Sequence, residues 1–362
     1  MSAPTTVTSE FSLQAYRAVI NEALEQFFTD LPEILHLDLS SQSLDALEKL
    51  REYSLRPGKR IRGSLASFAY DYATGEQYGE AGVQAAVALE LVQNYLLIVD
   101  DVMDRSDVRR GLPTVHQLYL QEQTEAEKDL HLANMLAVNV GLIAQHLVNI
   151  VLARIDQDAP RIQQATLLMH RNIAATGFGQ IDDACQQVGK VFSEEDIIRK
   201  YRMKSSYYTF VNPIQIGLVL GGVVDQKTLD EVEDFGLAAG IAFQLKDDLL
   251  GVFGESETTG KPNTDDVEEG KYTLLVQYAF DHGSDKDITY LKSVLGTPDV
   301  SNEDMTKVQA ILESCGAKQY VEDTIRKYAK EAHVAMEQSK FWSVEAKAML
   351  IGIVDYSINR KR

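Results

Sequence analysis

Two pairs of adjacent aspartates interrupt apolar segments in the two halves of the chain. Asp100 and Asp101 follow Leu97-Ile98-Val99, and Asp247 and Asp248 are followed by Leu249-Leu250. Burying an unpaired carboxylate is costly, so carboxylates seldom stand in apolar runs without a partner. Hard divalent cations such as Mg²⁺ prefer oxygen ligands. The two pairs therefore predict two acidic sites that share the task of holding divalent cations.

A third aspartate extends the first pair. Residues four apart share a helix face, so Asp100, Asp101 and Asp104 (the first aspartate motif) would gather at one helix end. A solvated acidic helix end is the alternative, but the preceding apolar run has no polar face and favours metal. The second aspartate motif, Asp247 and Asp248, has Gly251 where the first has Asp104, and it offers fewer carboxylates.

Basic residues form local groups in a chain whose formal net charge is −19. Such groups suit phosphate recognition; surface patches, neutralisation of the aspartates, snorkelling and mobile loops are the structural alternatives. The net charge argues against nucleic acid as a partner but permits a small anionic substrate that binds through metal ions. The groups are Lys59 and Arg62 after Gly58, Arg109 and Arg110, Lys204 beside Ser205, and Lys261 and Lys271 in a glycine-flanked loop.

Helical patterns dominate the elements that must position these residues. Only eight prolines occur, and between them apolar residues recur at spacings of three and four. Long helices are predicted from about Gly82 to Met103 and from about Ala133 to Ile155, the second apolar on every side and therefore central. No window shows sustained strand alternation. We expect one all-α domain over residues 1–362, a single bundle of long helices, with flexible ends at 1–10 and 358–362.

The ends of the chain and its apolar runs predict a soluble, cytoplasmic protein. No uninterrupted apolar run has the length of a transmembrane span, and the first ten residues lack the pattern of a secretory signal. Cys185 and Cys315 are the only cysteines, and they form neither a disulfide framework nor a zinc-binding spacing.

Taken together and in order, these segments resemble the trans-type prenyl diphosphate synthases, the family of farnesyl and geranylgeranyl diphosphate synthases. The similarity covers roughly the middle two-thirds of the chain, and the order of the motifs is more specific than any one of them. It includes Gly58-Lys59-Arg60-Ile61-Arg62-Gly63, Asp100–Asp104 with Arg109-Arg110-Gly111, Gly179-Gln180 to Asp183, Lys204-Ser205, Phe243-Gln244 to Gly251, Lys261 and Lys271.

The resemblance implies the all-α isoprenoid synthase fold, a deep central cavity and, in most members, a homodimer. The two aspartate motifs would hold three Mg²⁺ ions on an allylic diphosphate (dimethylallyl, geranyl or farnesyl), and isopentenyl diphosphate would be the second substrate. The residues implied to contact the allylic diphosphate are Arg109, Lys204 and Lys261, with Gln244 nearby. Those implied for the isopentenyl diphosphate site are Gly58, Lys59, Arg62, Gln93 and Arg110.

Several positions differ from the common family pattern. Ser205 stands where threonine is usual and keeps the hydroxyl, and Gln93 stands where histidine is frequent. Gly251 replaces a third aspartate, a form that resembles archaeal geranylgeranyl enzymes. The tail Arg360-Lys361-Arg362 is similar to basic tails that close over the isopentenyl site in some members; a frayed solvated end is the alternative.

The product length implied by the resemblance depends on the helix that carries Asp100. Tyr95 lies roughly one turn below Asp100 and Val92 roughly two turns below. An aromatic at Tyr95 without a second aromatic at Leu96 resembles the geranylgeranyl type, so we expect a C20 product. The alternatives are a C15 product and simple core packing of Tyr95.

Three other functions compete with prenyl synthesis. A class I terpene cyclase shares the first motif, but Phe243–Gly251 lacks the form of the second cyclase metal site. A catalytically silent helical partner subunit would be expected to lose aspartates that this chain keeps. A cation-binding scaffold explains the aspartates but leaves the basic groups unexplained.

Overall fold

A computed structural model describes residues 9–126, 128–186, 192–254 and 264–360. These residues are almost entirely helical, as predicted. The α-helices are α1 Ser9–Leu35, α2 Ser41–Leu55, α3 Ile61–Thr74, α4 Glu80–Met103, α5 Val115–Gln121, α6 Leu130–Arg154, α7 Ala159–Cys185, α8 Glu194–Tyr201, α9 Asn212–Leu220, α10 Gln226–Phe253, α11 Asp265–Glu268, α12 Leu274–His282, α13 Asp285–Val294, α14 Asn302–Ser314, α15 Ala317–Gln338 and α16 Val344–Asn359.

The chain divides into two compact units. The N-terminal unit comprises the described residues of Phe11–Leu168 and Pro213–Val223, and the C-terminal unit those of Met169–Asn212 and Val224–Arg362, with residues 9 and 10. The predictions of a single domain and of flexible ends stay predictions, and residues 1–8, 361 and 362 lie outside the described residues.

The core of the N-terminal unit is built on α4 and α6, which pack against each other. Leu89, Leu91 and Ile98 of α4 and Leu147 of α6 are almost wholly buried. Each such side chain contributes roughly 1.5–3 kcal/mol through burial. The packing holds the end of α4, where the first aspartate motif begins.

Both α4 and α6 are long and apolar enough to cross a membrane, judged by length and composition alone. In the most apolar window of α4 61% of residues are buried in the protein, and in that of α6 44%. Core helices of globular proteins meet the same criterion. The absence of a transmembrane segment therefore stays a prediction.

The N-terminus of α8 shows how local sequence sets an element that leads to the site. The Ser193 side chain accepts a hydrogen bond from the Asp196 backbone N–H (3.2 Å), and the Asp196 carboxylate accepts one from the Ser193 backbone N–H (3.1 Å). This capping box satisfies two otherwise unpaired donors. Three acidic residues in the first turn complement the helix dipole.

A π-helix, Arg202–Val211, continues α8 and carries Lys204 and Ser205. Such segments are rare, because they widen the helix, and they occur often at functional sites. Glycines on neighbouring helices let its backbone come close: a Cβ on Gly179 would lie 2.6 Å from the Lys204 Cα, and one on Gly240 would lie 2.5 Å from the Ser206 Cβ.

A short hairpin follows α4, where the sequence analysis found no strand. Strands β1 (Val108–Arg109) and β2 (Leu112–Pro113) pair antiparallel, and the connecting residues Arg110 and Gly111 have φ of 57° and 75°. Two consecutive positive φ values are typical of a type I′ hairpin turn. Strands of two residues are too short to produce an alternating pattern in the sequence, which is why the hairpin was not predicted.

Candidate active site

The two first-motif aspartates that are adjacent in sequence have different surroundings. The Asp101 side chain is 1% exposed, whereas that of Asp100 is 21% exposed. Tyr53 Oη donates to Asp101 Oδ2 (3.1 Å), and Arg109 Nε donates to Asp101 Oδ1 (2.5 Å). The Arg109 guanidinium also lies 3.6 Å from Asp100 Oδ2. Both oxygens of Asp101 are thus engaged by protein groups, a different setting from that expected for a metal ligand.

The pKa values of Arg109 and Tyr53, which both contact Asp101, are raised. Burial acts to lower the pKa of Arg109, but the interactions with Asp101, Tyr53 and Asp100 together outweigh it, so the pKa is raised and the guanidinium stays charged. Burial, and then the charge of Asp101, raises the pKa of Tyr53 above its ordinary value. Tyr53 therefore remains a hydrogen-bond donor across the physiological range.

The hairpin turn brings the Arg110 side chain next to Gly58. A Cβ on Gly58 would lie 3.1 Å from Arg110 Nη1, so the absence of a side chain makes room for the guanidinium. Arg110 Nη1 lies 3.5 Å from the Arg56 carbonyl oxygen. Burial, followed by the charge of Arg60, lowers the pKa of Arg110. This clustering of cations is unfavourable unless an anion compensates for it.

A buried ion pair positions the segment that contains Lys59 and Arg62. Arg60 Nη1 lies 2.9 Å from Glu90 Oε2, and both side chains are 1% exposed. Arg60 also donates to the Ser54 carbonyl oxygen (2.8 Å), and its φ is 51°, an uncommon value for a residue with a side chain. The pair ties the Gly58–Arg62 segment to α4. Arg62 is 8% exposed, whereas Lys59 and Gln93 are half-buried.

The second aspartate motif repeats the arrangement of the first. Asp248 is 7% exposed and accepts hydrogen bonds from the Tyr201 hydroxyl and from Gln244 Nε2 (2.8 Å). Ser205 Oγ donates to Gln244 Oε1 (2.5 Å), which extends this network to the π-helix. The Asp247 side chain is 42% exposed. Burial, with the charge of Asp266, raises the pKa of Asp248 to about 6.

Three lysines surround Asp183 in the C-terminal unit. Lys204 Nζ lies 2.5 Å from Asp183 Oδ2, and Lys200 Nζ lies 2.9 Å from Oδ1. Burial acts to raise the pKa of Asp183, but the charges of Lys204, Lys200 and Lys271 hold it well below the usual range. Lys271 Nζ also lies 3.1 Å from Asp266 Oδ1. Lys204 and Lys271, which are both predicted to bind diphosphate, therefore act on the same carboxylate, that of Asp183. Lys261, the other lysine of this prediction, lies outside the described residues.

The last described residue, Arg360, contacts the second aspartate motif. Its guanidinium pairs with Asp247 Oδ1, donates to the Phe243 carbonyl oxygen (3.4 Å) and lies 4.1 Å from the centre of the Phe243 ring. The Arg360 side chain is only 8% exposed. Arg360 is thus held at Asp247 and is not a frayed solvated residue.

The residues predicted to set product length lie on α4 before the first motif. Val92 is 2% exposed, and Tyr95 and Leu96 are half-buried. Burial raises the pKa of Tyr95 above its ordinary value, so the ring lies in an environment that disfavours charge. Gly141 of α6 packs here, because a Cβ on it would lie 3.0 Å from Val99 Cγ2 and 3.6 Å from the Tyr95 carbonyl oxygen.

The carboxylates of the two aspartate motifs fit a hard cation whose ligands come partly from the protein and partly from a substrate. Within the described residues, no three or more His, Cys, Asp or Glu side chains form a metal-holding group by themselves. The half-exposed carboxylates Asp100, Asp104 and Asp247 offer oxygen donors. Mg²⁺ is commonly held by one or two carboxylates together with substrate phosphates and water, so a complete protein cage is not required.

Residues 44–313 match the family model described as polyprenyl synthetase. The chain belongs to the polyprenyl synthetase family. It is therefore a prenyltransferase, and both the predicted family and the predicted fold are confirmed.

Relatives and solved structures of this family match almost the whole chain. A geranylgeranyl diphosphate synthase of Methanosarcina mazei is 28% identical, and the alignment covers 84% of this chain and 86% of the relative. A short chain isoprenyl diphosphate synthase of Methanothermobacter thermautotrophicus is 29% identical over 96% of this chain and 98% of the relative. A crystal structure of a geranylgeranyl pyrophosphate synthase from Corynebacterium glutamicum contains isoprenyl diphosphate and magnesium. It is 29% identical to this chain and superposes with a TM-score of 0.89. The match covers 96% of this chain and 99% of that one.

Sequence reasoning missed the residues that organise the prenyltransferase site from a distance. Tyr53 and Tyr201 each bind a motif aspartate, and Lys200 binds Asp183. Tyrosines and lysines in helical segments are too common to attract attention alone. Their roles depend on contacts between segments far apart in sequence, which no local pattern records.

Proposed function

We propose that this prenyltransferase condenses isopentenyl diphosphate with an allylic diphosphate and makes geranylgeranyl diphosphate, a C20 product. The observation that carries the proposal is the repeated arrangement of the aspartate pairs. In each motif one aspartate is buried against a tyrosine, while its neighbour is at least one-fifth exposed and paired with an arginine. Such an arrangement, with lysines and arginines nearby, suits the binding of diphosphate through metal ions.

In this proposal Asp100, Asp104 and Asp247 would hold Mg²⁺, a hard cation that prefers such oxygen donors. Three ions would bind per active site. Mg²⁺ held by these carboxylates would neutralise the diphosphate leaving group, so that the allylic C–O bond could ionise. Asp101 and Asp248 position their neighbours: Asp101 orients Arg109, and Asp248 orients Gln244. This division of roles departs from the expectation that all five aspartates contact metal.

The basic residues bind the two diphosphates. Arg109, Lys204, Lys261 and Lys271 would donate to the allylic diphosphate, on which negative charge builds up as the bond breaks. Gly58, Lys59, Arg62, Gln93 and Arg110 would hold isopentenyl diphosphate, whose double bond would attack the allylic cation. The resulting cation would then lose a proton to the departing diphosphate. Supporting this, Arg110 lies against Gly58, and the Arg60–Glu90 pair fixes the segment between Lys59 and Arg62.

Incubation of the purified protein with isopentenyl diphosphate, each allylic diphosphate and Mg²⁺ tests the activity, with mass analysis of the products. We expect condensation that EDTA abolishes and Mg²⁺ restores. No condensation with any allylic primer would refute the proposal. A product that stops at C15 would replace the geranylgeranyl assignment by the farnesyl alternative.

Tyr95 is proposed as the floor that ends elongation. Its ring lies on α4 one turn before Asp100, and Leu96 beside it is not aromatic. Tyr95→Ala should give products longer than C20, while Tyr95→Phe should keep the length because the ring bulk remains. Identical product lengths for the wild type and Tyr95→Ala would reject this role.

We also propose that the protein is a cytoplasmic homodimer that buries one face of α6. Leu132, Met135, Leu136 and Leu142 are all exposed there, at spacings that place them on one helix face. Exposed apolar stripes of this kind are typical of subunit interfaces. Met135→Glu/Leu142→Glu should shift the protein from dimer to monomer in analytical ultracentrifugation; a wild type that sediments as a monomer would contradict the assignment.

A further inference from the structure

The second aspartate motif lacks a side chain at the position where the first has its third aspartate. Asp104 follows Asp100 by four residues, and Gly251 follows Asp247 by the same spacing. Both spacings place the two residues on one face of a helix. On sequence alone, the second motif therefore has one carboxylate fewer.

The structure places another carboxylate where a Gly251 side chain would be. A Cβ on Gly251 would overlap Asp266 Oδ2 and would lie 2.9 Å from the Asp266 Cγ. Asp266 belongs to α11, a separate short helix after α10. Gly251 thus leaves the space that the Asp266 carboxylate occupies, and a larger residue at 251 would displace it.

Contacts on the other side of Asp266 fix its orientation. Lys271 Nζ lies 3.1 Å from Asp266 Oδ1, and the Lys271 backbone N–H donates to the Asp266 carbonyl oxygen (3.1 Å). Lys271 Nζ also lies 2.6 Å from Glu269 Oε2. Because Oδ1 faces the lysine, Oδ2 is the oxygen directed at Gly251. The Asp266 side chain is 21% exposed, similar to Asp100.

We propose that Asp266 supplies the third carboxylate of the second aspartate motif, in place of the residue at 251, and supports divalent-cation binding at Asp247. The inference rests on the proposed function, because it presumes that the second motif binds Mg²⁺. A carboxylate from a separate short helix would then replace the one that the glycine at 251 lacks.

The affinity for Mn²⁺ tests the proposal without relying on turnover. Mn²⁺ is titrated into the full chain with inorganic pyrophosphate, and the free ion is followed by electron paramagnetic resonance against a protein-free pyrophosphate control. Asp266→Ala should weaken the protein-dependent Mn²⁺ binding at least tenfold. Asp265→Ala, which removes the neighbouring charge from the same helix, should change it less than twofold.

A relocation variant separates the carboxylate from the fold of α11. Gly251→Asp in the Asp266→Ala background moves the carboxylate back onto α10, and binding should return to within threefold of the wild type. Gly251→Asp alone should lower the unfolding temperature, because two carboxylates would compete for one space.

The outcomes distinguish this inference from the proposed function. If the wild type binds Mn²⁺ and Asp266→Ala binds it equally well, Asp266 has no such role while the function stands. A double variant no better than Asp266→Ala would also overturn the role of the carboxylate. If the wild type binds no Mn²⁺ with pyrophosphate, the proposed metal-dependent function itself is wrong.

Discussion

At the scale of single residues, adjacent aspartates in one motif have different surroundings. Asp101 is buried with both oxygens engaged by Tyr53 and Arg109, whereas Asp100 is partly exposed. Removing one partner of a buried ion pair costs about 3–5 kcal/mol, because the remaining charge loses its compensation. A partly exposed carboxylate such as Asp100, which we propose as a metal ligand, contributes little to the stability of the fold.

Asparagine substitutions at these two positions should therefore separate stability from activity. Asp101→Asn should lower the free energy of unfolding by about 3 kcal/mol through the unpaired Arg109. Asp100→Asn should leave it within about 1 kcal/mol but reduce kcat by about a hundredfold or more, because a metal ligand is lost. Urea denaturation and initial rates at saturating Mg²⁺ measure both. Equal losses of stability in the two variants would contradict the assignment.

The environment of Asp183 predicts a pH dependence. Lysines hold its pKa in the folded protein below that in the unfolded chain, so ionised Asp183 stabilises the fold above its unfolded pKa of about 3.9. That contribution is lost progressively as the pH falls below about 4 towards the folded-state pKa. Asp183→Asn should therefore cost about 3 kcal/mol at pH 7 and clearly less at pH 3, as measured by urea denaturation. A cost that is the same at both pH values would exclude the ion pairs as its source.

At the scale of elements, the π-helix depends on the glycines beside it. A Cβ on Gly179 would overlap the Lys204 backbone nitrogen and lie 2.6 Å from its Cα, both parts of the main chain that cannot rotate away. Gly177, two residues earlier on α7, has no described atom within 4 Å of such a Cβ. The two positions share a helix but differ in what a methyl group would meet.

Alanine at these two glycines should have effects of opposite sign. Gly179→Ala should destabilise the protein by about 1–3 kcal/mol or more, since the π-helix must shift, and should raise the KM for the allylic diphosphate through Lys204. Gly177→Ala should stabilise by about 0.5–1 kcal/mol, because alanine is the better helix former. Thermal unfolding and steady-state kinetics provide the comparison. A Gly179→Ala variant as stable as Gly177→Ala would show that the close approach is dispensable.

Elements with strong periodicity were predictable from the sequence, and contacts between distant segments were not. The helices around Asp100 and after Ala133 begin within three residues of the predicted positions, because long apolar patterns and caps are local. The hairpin at Arg110 was missed because its strands have two residues each. The partners Tyr53 and Tyr201 lie 48 and 47 residues from the aspartates they bind, and only the fold brings them together.

At the scale of the whole molecule, an acidic protein concentrates its cations where anions are expected. The formal net charge is −19, yet lysines surround Asp183 and arginines accompany each aspartate motif. In the metal-free chain these cations have protein carboxylates as partners. In the proposed function, binding of Mg²⁺ and diphosphate would exchange partners: the carboxylates would turn to the metal, and the cations would turn to the phosphate.

The ion pair between Arg360 and Asp247 allows this exchange of partners to be tested. The Arg360 guanidinium pairs with Asp247 Oδ1 and stacks on Phe243, so it would compete with the proposed Mg²⁺ for that oxygen. Arg360→Ala should lower the unfolding free energy of the metal-free protein by about 1–2 kcal/mol while it lowers the Mg²⁺ concentration needed for half-maximal activity severalfold. Arg326→Ala, which removes an exposed arginine paired with Asp323, serves as the control and should change neither quantity. An unchanged or increased Mg²⁺ requirement in Arg360→Ala would show that Arg360 does not compete with the metal for Asp247.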